Sequence, residues 1–339
     1  MAKNGTMQAS RRRVLSCTLA GMALIILVFS VSAQTRALAH SSVSQRKGHF
    51  TEFPLPNGSG APFGITAGPD GNLWFTEQSA QIGKITPQGQ ISEFDIPSVC
   101  DPAGITTGPD HNLWFAEHTG YRVGNITLQG QVTEFPIINM ASLPESITTG
   151  PDGNLWFTVQ LESKIGMITP QGQLTLFQPG NGGQPEDITA GPDGKLWYTS
   201  FFGNEIASFT TSGQLTLFPL PHTGSAPRGI TAGPGGNLWF TEFDGDRIGK
   251  INPKTGKITE YPLPHTGSAP WGITVGPRGT LWFTEYFANK IGKLNPKTGK
   301  ITEYTIPTAS GSPIGITAGP GGTLWFTEFQ ASKIGQFLP

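Results

Sequence analysis

Cysteine is almost missing from this chain, with two in 339 residues. Cys17 falls in what reads as a leader, so Cys100 stands alone in the remainder and an internal disulfide is excluded. Charged residues are also scarce, at 13%, and the formal net charge is −1. That figure hides a split. Residues 1–39 hold five basic residues (Lys3, Arg11, Arg12, Arg13, Arg36) and no acid, after which 17 basic residues face 23 acidic ones, net −6. A modestly acidic body without a basic stripe argues against nucleic acid as a partner, because such binding rests on neutralising phosphates. Long apolar runs are limited to residues 14–31, behind Arg11-Arg12-Arg13 and ahead of the small-residue sites Val31-Ser32-Ala33 and Ala37-Leu38-Ala39. This is the layout of an export signal. The run is also close to bilayer-spanning length, which keeps an uncleaved anchor open. Cys17 precedes most of it, the wrong order for lipid attachment. The expected division is a signal peptide or membrane anchor over 1–39, a Ser- and Gln-rich linker over 40–47, and one domain over 48–339, secreted or otherwise extracytoplasmic and monomeric.

Glycine (46) and proline (29) are abundant, but they recur at fixed offsets and so mark turns rather than disorder. The offsets follow seven tryptophans, Trp74, Trp114, Trp156, Trp197, Trp239, Trp282 and Trp325, spaced 40, 42, 41, 42, 43 and 43 residues apart. Each sits in a copy of Pro-x-Gly-Ile-Thr-x-Gly-Pro-Asp-Gly-Asn-Leu-Trp-Phe-Thr-Glu. A period in the low forties, rich in strand residues and turns, predicts an all-β, seven-bladed β-propeller with four strands per blade. In the first copy, strand a is 64–67, b is 73–77, c is 81–85 and d is 90–94. The tryptophans read as inter-blade packing with locally bonded indole N–H groups. The aspartates of the Gly-Pro-Asp-Gly turns read as turn chemistry rather than calcium ligands, since Gly235, Arg278 and Gly321 replace them in later copies. The termini complete one another: residues 49–55 match a strand d with no a, b or c before them, and the chain stops at a strand c, 333–337. The N-terminal strand is therefore expected to close the last blade and remove its open edge.

In an up-and-down blade the d–a and b–c connections share one face, and variation concentrates there. The residues after each repeat proline are Phe63, Ala103, Glu145, Glu186, Arg228, Trp271 and Ile314. The b–c loops add His118, Phe201, Phe202, Phe243, Tyr286 and Phe287, and the d–a loops add His222 and His265. Aromatics around carboxylates at the mouth of an axial channel suit a small ligand or a metal. Glu145, Glu186, Asp187, Arg228, Trp271 and Tyr286 are the candidate ligand-binding residues, because they break the repeat. The strand-b glutamates, Glu242, Glu285 and Glu328 among them, repeat in five blades and read equally as structural groups bonded to the next blade.

The phrases Gly-Ile-Thr-Ala-Gly-Pro-Asp-Gly-Asn-Leu-Trp-Phe-Thr-Glu (64–77), Lys-Ile-Gly-Lys-Ile and Ile-Thr-Glu-Tyr-Pro-Leu-Pro (258–264) resemble the virginiamycin B lyase, or streptogramin lyase, family over residues 49–338. The resemblance implies a seven-bladed propeller that opens cyclic depsipeptide antibiotics by elimination, with Mg²⁺ assisting. It also implies histidines after the repeat proline of the last two blades, the final one within a Glu-Pro-His triplet. Those positions are Trp271 and Ile314 here, with Ser312 for the triplet's glutamate, and none of the three can do acid-base work. The expectation is therefore an exported propeller that binds a small molecule, cyclic peptide or glycan. The alternatives are an active lyase with a rearranged site, using Glu285, Glu328 and His265 as catalytic groups and Glu242 with Glu285 as Mg²⁺ ligands, and a scaffold of the cell envelope.

Overall fold

The repeated phrase folds the same way seven times. In the first blade, Pro62–Ala67, Leu73–Glu77, Gln81–Ile85 and Ile91–Asp95 form an antiparallel sheet in chain order. The computed structural model describes residues 48–137, 142–180 and 182–339; the expected leader and linker lie outside the described residues. Seven four-stranded sheets stand in a ring, and the innermost strands of neighbouring blades touch all the way round. This is a seven-bladed β-propeller. Among the described residues no helix is long and apolar enough to cross a membrane.

The two ends meet as the sequence predicts. His49–Pro54 pairs antiparallel with Lys333–Leu338 and becomes the outer strand of the seventh blade. Its Phe53 stacks on Trp325 at 5.6 Å, as Phe94 stacks on Trp74 at 5.7 Å inside the first blade. Each of the seven repeat tryptophans is buried, and Trp74 packs with Ile105, Leu113 and Phe115 of the next blade. The indole N–H finds a local acceptor in six blades: Asp70, Asp110, Asp152 and Asp193 in the first four, Thr280 and Thr323 in the last two. In the fifth, Gly235 replaces the aspartate and the buried Trp239 indole is left without a partner. The turn aspartates thus hold tryptophan, which accounts for them without calcium. Gly71 takes φ 78° in its turn, and His111 is held at φ 61° in the equivalent place.

The innermost strands begin two residues earlier than expected, and the reason bears on function. Pro62 lies opposite Glu77 but Ile65 lies opposite Phe75, so one extra residue is bulged out at Phe63-Gly64; the same shift recurs in all seven blades. A bulge re-aims side chains and leaves a backbone N–H unpaired. Thr76 meets that need, accepting from Gly64 N–H at 2.8 Å and donating to Ala103 C=O of the next blade at 2.6 Å. Thr158, Thr199, Thr241, Thr284 and Thr327 repeat the arrangement and hold the carbonyls of Glu186, Arg228, Trp271, Ile314 and Phe63. The second blade has Ala116 there, which has no hydroxyl to offer Glu145. The threonines therefore fix the backbone of the residues that ring the axial mouth.

Candidate functional site

Those ring residues enclose a cavity of about 190 Å³ on the axis. Its walls include Glu145, Glu186, Asp187, Arg228 and Trp271, together with Phe63 and Ile314. Five of the six candidate ligand-binding residues thus meet in one place, and the sixth, Tyr286, packs on Trp271 with ring centroids 5.2 Å apart. The variable loops do share a face with the ring residues.

Asp187 departs furthest from the repeat. Blades 1, 2, 5, 6 and 7 have Gly64, Gly104, Gly229, Gly272 and Gly315 at this position, where adjacent inner strands approach so closely that a Cβ on Gly229 would lie 2.4 Å from Trp271 O. Blades 3 and 4 carry Ser146 and Asp187 instead, and the serine hydroxyl donates to the aspartate at 2.6 Å. Backbone N–H groups of Ile188 and Ile230 add bonds of 2.9 and 2.8 Å, so one carboxylate ties three blades together. Protein packs around Asp187 while part of its surface stays open to the channel. Burial raises its pKa against these bonds, and Glu145 adds repulsion.

Glu186 sits beside it, pushed up to about 7 by burial and by Glu145, with Arg228 and His118 pulling the other way. Its Oε2 accepts from Arg228 Nη1 at 3.3 Å. The Arg228 guanidinium is enclosed by three rings, 3.9 Å from the centroid of Trp271, 4.7 Å from Phe243 and 4.8 Å from Phe201. On the other flank His118 Nδ1 lies 2.8 Å from Glu145 Oε2. Burial lowers the His118 pKa, but Glu145 outweighs it through hydrogen bonding and charge, and the net shift is upward. Sequence reasoning placed His118, Phe201 and Phe243 on this face without giving them a role. Glu145 and Arg228, the partners of His118 and Phe201, lie one blade on, as Trp271 does from Phe243, and only the ring geometry brings these together.

The mouth is two-sided. Carboxylates and His118 come from blades 2 to 4. A chain of ring contacts runs from Phe329 through Phe63, Trp271 and Phe243 to Tyr286 and Phe287 on the other side. Phe287, and Phe202 beside Phe201, are 67% and 74% exposed.

The remaining candidates lie elsewhere. His265 is largely exposed and its Nδ1 contacts Glu303 Oε2 at 3.0 Å. Asn57, His222 and Thr308 occupy the same place in their loops and bond Glu93, Glu260 and Glu52. His265 is one of four loop latches, each tying the connection that leaves one blade to the outer strand of the next. Glu242, Glu285 and Glu328, like Glu77 and Glu117, are fully buried in their separate blades and do not line the cavity. They pack against the entering loops, so that a Cβ on Gly60 would lie 2.1 Å from Glu77 Oε2 and one on Gly311 would lie 2.7 Å from Glu328 Oε2. Burial, reinforced by Glu93 and Glu52 respectively, pushes Glu77 and Glu328 up to about 8. Burial also brings Glu117, Glu242 and Glu285 to about 7, with a strand-d glutamate raising each further. The bonding to the next blade expected of them is made instead by the strand-b threonines.

These residues do not fit a resident Mg²⁺. Among the described residues no three of His, Cys, Asp and Glu gather into a metal-holding group, and the expected pair, Glu242 and Glu285, are sealed in separate blades.

The characteristic pattern of the virginiamycin B lyase family matches residues 42–207 and 144–339, which together span the ring. The chain belongs to the virginiamycin B lyase family. A solved streptogramin B lyase is 36% identical, covering 85% of this chain and 96% of its own, with a TM-score of 0.81. Virginiamycin B lyase from Staphylococcus aureus is 37% identical over 86% of this chain and 99% of its own, also with a TM-score of 0.81; one of its structures is a catalytically inactive histidine-to-alanine variant with quinupristin. A curated virginiamycin B lyase of Bordetella pertussis is 42% identical over 48 residues, a match that spans only 16% of its length.

Proposed function

We propose that this member of the virginiamycin B lyase family is an exported propeller that binds a small ligand in the axial mouth without cleaving it. The observation that carries the reading is the composition of the cavity wall: Trp271 and Ile314 stand where the family resemblance implies the working histidines, and both line the cavity. Neither side chain can take up or deliver a proton near neutral pH. Stacking surface and paired charges remain, and these are binding chemistry. A catalytically inactive relative seen with quinupristin supports the separation of holding from cleaving on this scaffold.

Ligand-observed NMR with small aromatic, peptide and sugar fragments tests the reading on the intact protein and on Trp271→Ala. Binding that weakens markedly in the variant is the expected result. Fragments that bind both proteins alike would place recognition elsewhere.

One observation favours a second reading. The His118–Glu145 pair at the mouth is a histidine held by a carboxylate, a usable proton acceptor, so a rearranged lyase would draw its base from His118 rather than from the latch His265.

A further inference from the structure

The geometry points to an organic cation as the ligand: an amine carried on an aromatic or apolar body, with the charge facing Glu145, Glu186 and Asp187 and the body lying on Trp271 and its neighbouring rings. The inference rests on the reading of the mouth as a binding site and names the ligand's chemistry.

Charge pairing within the mouth is the first argument. Three carboxylates line the cavity. Glu145 is matched by His118 and Glu186 by Arg228, while the bonds to Asp187 come from one hydroxyl and two backbone N–H groups. Among the described residues no ion pair reaches Asp187. A carboxylate in a confined, poorly solvated site is stabilised most by a cation brought to it. An arriving carboxylate would meet repulsion from all three acids. The one guanidinium that could receive it is already enclosed by Trp271, Phe243 and Phe201 and bonded to Glu186.

Position is the second argument. Asp187 occupies a site that five blades reserve for glycine because the inner strands nearly touch. A side chain placed there gains a view of the channel at the expense of close strand packing, and Ser146 is substituted beside it to hold it. The aromatic half is the third. Its rings already accept the Arg228 cation on their faces, so the local quadrupoles are turned toward positive charge, and Phe287 and Phe202 extend the apolar surface outward.

Calorimetry with tryptamine, tryptophol and indole-3-propionate tests this, because the three probes share one body and differ in the charge of the tail. The amine should bind about tenfold more tightly than the alcohol, a difference of about 1.4 kcal/mol, and the propionate most weakly. Trp271→Ala should weaken all three together. Asp187→Asn should close the gap between amine and alcohol, and Glu145→Gln and Glu186→Gln should each narrow it, with thermal melts confirming that each variant is folded. Alcohol or propionate binding as tightly as the amine overturns the ligand class and leaves the binding site standing. Failure of all three probes to bind overturns both the class and the reading of the mouth beneath it.

Discussion

At the scale of single residues, the carboxyl groups of this ring divide into two populations. Glu145, Glu186 and Asp187 open onto a shared cavity, whereas Glu77, Glu117, Glu242, Glu285 and Glu328 are sealed in separate blades. The sealed five make a prediction about pH. An exposed glutamate titrates near 4.3 in the unfolded chain, and these titrate at about 7 to 8 when folded. A raised folded pKa means that the native state holds the proton more tightly. The stabilisation is complete below the unfolded value and is lost as pH climbs through 7 to 8. Melting temperature should therefore fall between about pH 5 and about pH 9, and Glu77→Gln, which cannot ionise, should flatten the slope. A melting temperature that rises over that range would refute the assignment. The sequence showed these five only as a repeated letter. Whether a repeated glutamate faces water, a ligand or a sealed interior depends on the loop folded over it, and Gly60 and Gly311 gave no sign of how close that loop comes.

Among the elements, the bulged inner strand does most to position the site. Strands b and c occur where alternation puts them, at Leu73–Glu77 and Gln81–Ile85. Alternation starts strand a at 64 because the pattern breaks at a bulge, and the strand in fact begins at Pro62 on the far side of it. The threonine that stitches each bulge to the next blade is present in six blades and absent from the second, where Ala116 is fully buried. Ala116→Thr should supply the missing acceptor for Gly104 N–H and donor for Glu145 C=O, stabilising the protein by about 1 kcal/mol. A chemical denaturation series would show the midpoint moving upward; a lower midpoint would mean that the second blade has closed around alanine and cannot admit the larger side chain. The loop latches were partly legible. Asn57, His222, His265 and Thr308 all follow a Leu-Pro or Ile-Pro pair, and that shared offset marks His265 as part of the repeat. The residues that do gather at the mouth, Glu145, Glu186, Asp187, Arg228 and Trp271, were legible for the opposite reason: they sit where the blades differ from one another, and Asp187 stands where five blades have glycine.

For the molecule as a whole, closure is the organising fact. Phe53 on the first strand completes the seventh blade as Phe94 completes the first, and Glu52 receives Thr308 and Lys333 there. Removing residues 48–56 should broaden the unfolding transition, split it between probes of different blades, and leave Lys333–Leu338 as an unpaired edge open to self-association. A truncated ring that melts as sharply as the intact one would show that the seal is dispensable. Because the ring is closed, irregular residues more than forty positions apart in sequence face one another across a single channel, and in the proposed reading function is carried by those departures rather than by the repeat. The most direct test of that claim is to incubate the purified protein with a streptogramin B antibiotic and Mg²⁺ and follow the antibiotic by mass spectrometry. With Trp271 and Ile314 where the family resemblance implies histidines, the antibiotic should remain in its cyclic form; accumulation of the linear product, abolished by His118→Ala or Glu328→Gln, would contradict the account and make this ring a lyase.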